Sequence, residues 1–167
     1  MIFSLNTALI PIAKKVLHDA KPVSYSWGNI DALHKWIEDM NKKQVHKSLG
    51  IDGGKKYPLI WLAEGWVAKE YFSGVKFTNV NFYISSNSRI ESLNENRVPN
   101  FENLYKVAND FIDELNQYGR IEENNISYKE RASFNTVVAD SNEKKSITSD
   151  IWDTLILSLD LSVYSDC

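Results

Sequence analysis

Residues 152–163 read Trp152-Asp153-Thr154-Leu155-Ile156-Leu157-Ser158-Leu159-Asp160-Leu161-Ser162-Val163. Successive side chains of an extended chain point to opposite faces, so Leu155, Leu157, Leu159, Leu161 and Val163 share one side, and Ile156, Ser158, Asp160 and Ser162 the other. This pattern predicts a half-buried strand with one wet face. Such a strand needs an apolar layer over its dry side and belongs in a sheet that meets water on the other, which is the habit of antiparallel sheets.

The covering layer lies upstream. Phe101, Leu104, Tyr105, Ala108, Phe111, Ile112 and Leu115 recur at helical spacing, with Asn100 expected as the cap and Gly119 as the stop. Before it, Val75 to Ile84 is rich in β-branched and aromatic residues, and Val80, Phe82 and Ile84 alternate with Asn79, Asn81 and Tyr83, which predicts a second strand. Tyr57-Pro58-Leu59-Ile60-Trp61-Leu62 is a short continuous apolar run with a proline at its start, a pattern for a buried strand. Two helices come first. One carries Leu9, Ile12, Ala13, Val16 and Leu17 and is expected to end near Ala20, ahead of Lys21-Pro22. The next follows a turn at Trp27-Gly28, is capped by Asn29, and bears a stripe of Ile30, Leu33, Trp36, Ile37 and Met40. Lys42 to Lys56 reads as a polar loop, and residues 120–150, with no sustained period, as an irregular exposed excursion.

The resulting order, α-α-β-β-α-loop-β, does not alternate as βαβ units. It predicts an α+β domain over residues 1–167, with helices packed on one face of a small, mainly antiparallel sheet. At 167 residues, with 43% hydrophobic and 12% aromatic content, one core of this size removes roughly 70% of the surface of the unfolded chain from water. Disordered, collagen-like and low-complexity classes are excluded. A net charge of -3, without a basic cluster, disfavours collection of nucleic acid. The single cysteine, Cys167, cannot form an internal disulfide, and no basic leader or run of about 20 apolar residues predicts a signal peptide or membrane span.

No arrangement of residues predicts catalysis. Gly50-Ile51-Asp52-Gly53-Gly54-Lys55-Lys56 lacks the glycine spacing and the Ser or Thr of a phosphate loop and leads into a strand instead of a helix. His34 and Glu38 stand one turn apart on a helix, but two ligands do not close a metal site, and neither His18 nor His46 has a ligand cluster around it. These positions read as a polar helix face. No serine sits in a Gly-x-Ser-x-Gly elbow, and Cys167 has no fixed histidine partner. Asp110, Asp113, Glu114, Glu122 and Glu123 read as solvated surface. The expectation is a non-enzyme that needs neither metal nor cofactor. The conspicuous residues are Trp66, Tyr71 and Phe72, which fall in a connection between two strands. Large aromatics there serve either as an edge of the core or as an oligomer interface.

Lys56 to Leu62, Val75 to Ile84, Phe101 to Leu115 and Trp152 to Leu161, taken in that order, resemble small proteins of tailed phages of Bacteroidetes hosts, including crAss-like phages, that act as tail terminators or head-to-tail connectors. The resemblance spans most of the chain. It implies a structural virion protein, assembled in the host cytoplasm, that forms a homo-oligomeric neck ring of six or twelve copies. Its neighbours would be portal or adaptor and tail proteins, with DNA passing through the channel without sequence-specific binding and no membrane involved. The long polar tract from Glu122 to Ser149 departs from the simplest members and leaves the neck position open. Mild acidity suits a channel through which DNA slides. The alternative is a monomeric phage-encoded binding or accessory module. A metal-dependent nuclease or hydrolase would require the scattered histidines and carboxylates to converge.

Overall fold

The computed structural model describes residues 4–48, 57–88, 94–119, 121–132, 136–138, 144–146 and 151–164. The elements are α1 (Leu5–Ala13), β1 (Leu17–His18), β2 (Lys21–Pro22), β3 (Ser24–Gly28), α2 (Ile30–Ser48), β4 (Leu59–Ala63), β5 (Val67–Tyr71), β6 (Gly74–Ser88), α3 (Asn94–Gln117), β7 (Ile121–Arg131), β8 (Thr136–Val138), β9 (Lys144–Ser146) and β10 (Ile151–Tyr164). A six-stranded sheet runs in the order β3-β4-β6-β10-β7, and β5 pairs with β6 beside β4. Among the described strands only β3 and β4 run parallel. The class is therefore α+β with a mostly antiparallel sheet.

The alternation read from residues 152–163 positions the whole molecule. β10 lies between two long partners, pairing with β6 from Ile151↔Ser88 to Tyr164↔Gly74 and with β7 from Thr154↔Arg131 to Val163↔Ile121. Leu155, Leu157, Leu159, Leu161 and Val163 are buried, and they join Val80, Phe82 and Ile84 of β6 under Leu104, Ala108, Phe111 and Leu115 of α3 and Leu5, Leu9 and Ile12 of α1. Phe82 and Phe111 meet edge to face at 5.0 Å, an arrangement that adds to plain burial. α2 occupies the opposite face at the β4 end, where Leu33 and Ile37 pack on Leu59, Trp61 and Trp152. All five residues of β4 are buried because helices lie on both of its sides. Asn29 caps α2 as expected, its Oδ1 accepting from the Ala32 amide at 2.9 Å.

Several boundaries correct the sequence reading. Helix α1 stops at Ala13, not near Ala20. The chain closes a small β1–β2 ribbon through Asp19 and Ala20, both at positive φ, and buries Val16 and Val23 while Leu17 stays exposed. The Trp27-Gly28 turn is the end of β3, which with α2 and β4 makes one parallel crossover. Gly28, at φ 138°, closes it: a Cβ there would lie 2.9 Å from Ala32 Cβ, and its carbonyl accepts from Trp61 Nε1 at 3.0 Å. Helix α2 runs to Ser48, taking in the start of the expected loop, because Asn41 to Ser48 contains good helix formers without an apolar stripe. Residues 49–56, including the phosphate-loop look-alike, lie outside the described residues.

Helix α3 begins at Asn94, so Asn100 is not its cap. Its side chain instead joins a partly buried network with Asp153 and Ser86. The expected irregular excursion contains an eleven-residue strand, β7, and the β8–β9 ribbon. β7 has no sequence signature because ten of its residues are exposed or half-exposed, so neither face carries an apolar period.

Candidate functional site

The described surface is organised around the β5–β6 hairpin and the wet face of the sheet behind it. β5 pairs with β6 from Val67↔Thr78 to Tyr71↔Gly74. All of its residues are exposed, and Val67, Tyr71 and Phe72 place three large apolar side chains in solvent, Phe72 completely. Lys69 Nζ stands 5.4 Å from the Tyr71 ring centroid. Of the three aromatics singled out in the sequence, Tyr71 and Phe72 sit together at the tip, whereas Trp66 is partly buried against the main core at the base. Gly74, at φ 153°, lets the tip lie against β10, since a Cβ there would stand 2.0 Å from the Val163 carbonyl oxygen.

Behind the hairpin, both neighbours of β10 carry one extra residue at the same level. Phe77 and Val80 of β6 face Leu161 and Leu159, and Asn124 and Ser127 of β7 face Asp160 and Ser158. In each bulge an asparagine takes a left-handed conformation, Asn79 at φ 59° and Asn125 at φ 55°. Asparagine tolerates this region better than other side-chain-bearing residues. Asp160 ties the bulges together. One carboxylate oxygen accepts from the Asn79 backbone amide at 3.2 Å and the other from Asn125 Nδ2 at 2.9 Å, with Lys76 Nζ at 4.0 Å. Ser158 Oγ donates to Asn81 Oδ1, whose amide nitrogen donates to the Asn79 carbonyl. Bulges bend and twist the strand that carries them, so this polar clamp holds a local bend in β6 and β7 on both sides of β10.

The opposite edge of the sheet is β7, and the chain between β7 and β10 forms the β8–β9 ribbon, registered from Thr136↔Ser146 to Val138↔Lys144. The third edge, β3, exposes Trp27, a residue read as part of a turn in the sequence. The molecule thus offers unlike edges: a short one with aromatics and a long one with Glu122, Glu123, Lys129, Glu130 and Arg131.

The residues weighed for catalysis do not converge. His34 is not on a freely solvated polar face. Its ring lies 5.7 Å from that of Trp152, its Nδ1 is buried without a hydrogen-bond partner, and burial holds its pKa below the usual histidine value, outweighing the raising effect of Asp31 and Glu38. His18 contacts Asp19 at 3.1 Å. The side chain of His46 and Cys167 lie outside the described residues. Glu114 stands 4.0 Å from Lys15, and Glu122 accepts from the Tyr164 hydroxyl at 2.6 Å. Among the described residues no three of His, Cys, Asp and Glu are grouped to hold a metal ion, and no helix is long and apolar enough to cross a membrane. The chain matches no family model, no curated protein sequence and no solved structure.

Proposed function

We propose that this chain is a structural subunit of a tailed-phage neck, a head-to-tail connector or tail terminator that joins side by side with copies of itself into a ring around the DNA channel and performs no catalysis. The observation that carries the reading is the β5–β6 hairpin, which holds Val67, Tyr71 and Phe72 in solvent on a rigid support. Aromatic side chains bury much area at little rotamer cost and are enriched at the centres of interfaces. A ring is built from heterologous contacts between unlike surfaces, and the aromatic hairpin and the long β7 edge are unlike in both composition and length. The β8–β9 ribbon, inserted between two core strands, gives a second element for reaching a neighbour. The net charge of -3 suits a lumen that does not retain DNA.

The test is assembly in the infected host. Phage carrying Phe72→Asp is expected to accumulate filled heads and free tails that fail to join, while the purified variant folds like the parent, because Phe72 makes no core contact. Normal yields of complete virions from that variant would overturn the role given to the hairpin. The alternative, a monomeric binding or accessory module, draws on a cleft between α3 and β7.

A further inference from the structure

The N-terminal half of α3 and the end of β7 border an open cleft of about 420 Å³ that no contact described above occupies. One wall is apolar and aromatic, made by Val98, Phe101 and Tyr105 of α3. Glu102 stands on the same helix, and Glu130 faces it from β7. Arg97 also lines the cleft, but its charge is spent: the guanidinium is buried and donates to Asp153 Oδ1 at 2.5 Å, while Asn100 Nδ2 holds the other carboxylate oxygen at 3.0 Å.

The charge left in the lining is therefore negative. Lys129 and Arg131 flank Glu130 in the chain, yet they pair with Ile156 and Thr154 on the face away from α3, whereas Glu130 pairs with Leu155 on the face that α3 covers. Strand alternation directs the two cations away from the cleft. Tyr105 and Glu130 line the same cleft from α3 and β7. Burial first, and then the nearby Glu130 carboxylate, raise the pKa of the Tyr105 phenol above its usual value. Tyr105 is supported by Tyr128, with ring centroids 5.4 Å apart.

We propose that this cleft receives a lysine or arginine side chain presented by a basic partner protein. Aromatic walls suit the aliphatic stem of such a side chain and attract its charged head through the ring faces, and two carboxylates on opposite sides fix the head between them. An anionic ligand would meet both carboxylates. A neutral apolar one would cover them without giving them a partner, which is costly. The chain itself is acidic, with a net charge of -3, so charge complementarity favours a basic partner over a second copy. The proposal does not depend on ring formation.

The test is a titration of the purified chain followed at individual backbone amides by NMR, with N-acetyl-arginine methylamide and N-acetyl-lysine methylamide as probes and the norleucine and glutamate analogues as controls. The expected result is a saturable shift of the amides of Phe101, Glu102, Tyr105 and Glu130 with the two cationic probes only. Its midpoint should rise about tenfold in the double variant Glu102→Gln, Glu130→Gln and should rise again with added salt. Equal shifts with norleucine, an unchanged midpoint in the double variant, or no movement at the cleft would overturn the proposal. So would movement of the same amides on simple dilution of the protein, since that would make a second copy the occupant.

Discussion

Replacing Asp160 by alanine removes the clamp between the two bulges of the sheet. The wild-type carboxylate accepts two hydrogen bonds, from the Asn79 amide and Asn125 Nδ2, with its side chain 17% exposed. A hydrogen bond to a charged acceptor contributes about 1.5 to 3 kcal/mol when buried, and partial exposure to solvent brings each of these to about 1 to 1.5 kcal/mol. Their loss costs about 2 to 3 kcal/mol, and two left-handed asparagines then lose the contacts that hold them there. For a chain of this length the midpoint of thermal unfolding should fall by roughly 5 to 10 °C. Asp160→Asn, which retains one acceptor, should lose less than half as much. Urea unfolding measures the free energy, and native-state hydrogen exchange locates it: protection should fall at Asn79 and Asn125 more than at Phe82 or Leu157. A change below about 0.5 kcal/mol for Asp160→Ala would refute the reasoning and make the paired bulges a property of the backbone alone.

Three further substitutions follow from the packing. Phe111→Ala should destabilise the fold by about 3 to 5 kcal/mol, because the ring is fully buried between α3 and β6 and meets Phe82 edge to face; an unchanged urea midpoint would contradict the placement of α3. Arg97→Met should cost about 3 to 5 kcal/mol by leaving Asp153 charged and completely buried, and Asp153→Asn on that background should recover part of the loss, measured as a double-mutant cycle. His34 should make stability fall with acid. Its folded pKa is lowered by burial, so the unfolded chain takes up the proton first; stability is level above about pH 6.5 and declines as pH drops from there toward the folded value. A His34→Gln variant should lack that decline, and parallel curves for the two proteins would refute it.

The parts of the fold legible in the sequence are those where burial is one-sided. β10 shows its period of two because α3 and α1 cover one face and water the other, and the middle of α3 shows its helical stripe for the same reason. The missed parts lie at the two extremes. Almost every side chain of β7 is polar or exposed, even on the face that α3 flanks, and β4 is dry on both faces, so neither alternates. β4 was still recognisable as a continuous apolar run, but β7 had no signal except Ile121 at its buried start. The end of α1 was misplaced because Val16 and Leu17 continue its period, although Val16 is buried against Val23 and Leu17 is left in solvent.

The surface residues were partly legible. Tyr71 and Phe72 could be picked out as aromatics in a connection, but their separation from Trp66 depends on the hairpin register, which a chain without apolar alternation does not announce. The clamp at Asp160 was hidden for a different reason. Asn79, Asn125 and Asp160 are far apart in sequence and ordinary in type, and only the two coincident bulges bring them together.

The reading as a neck subunit is tested most directly by a cryo-electron microscopy reconstruction of the neck of the virion. The account predicts copies of this chain in a closed ring around the DNA, with Tyr71 and Phe72 of each copy buried against the next. A reconstruction in which the chain is a monomer or a two-fold dimer, in which the hairpin tip faces solvent, or from which the chain is absent, would contradict it.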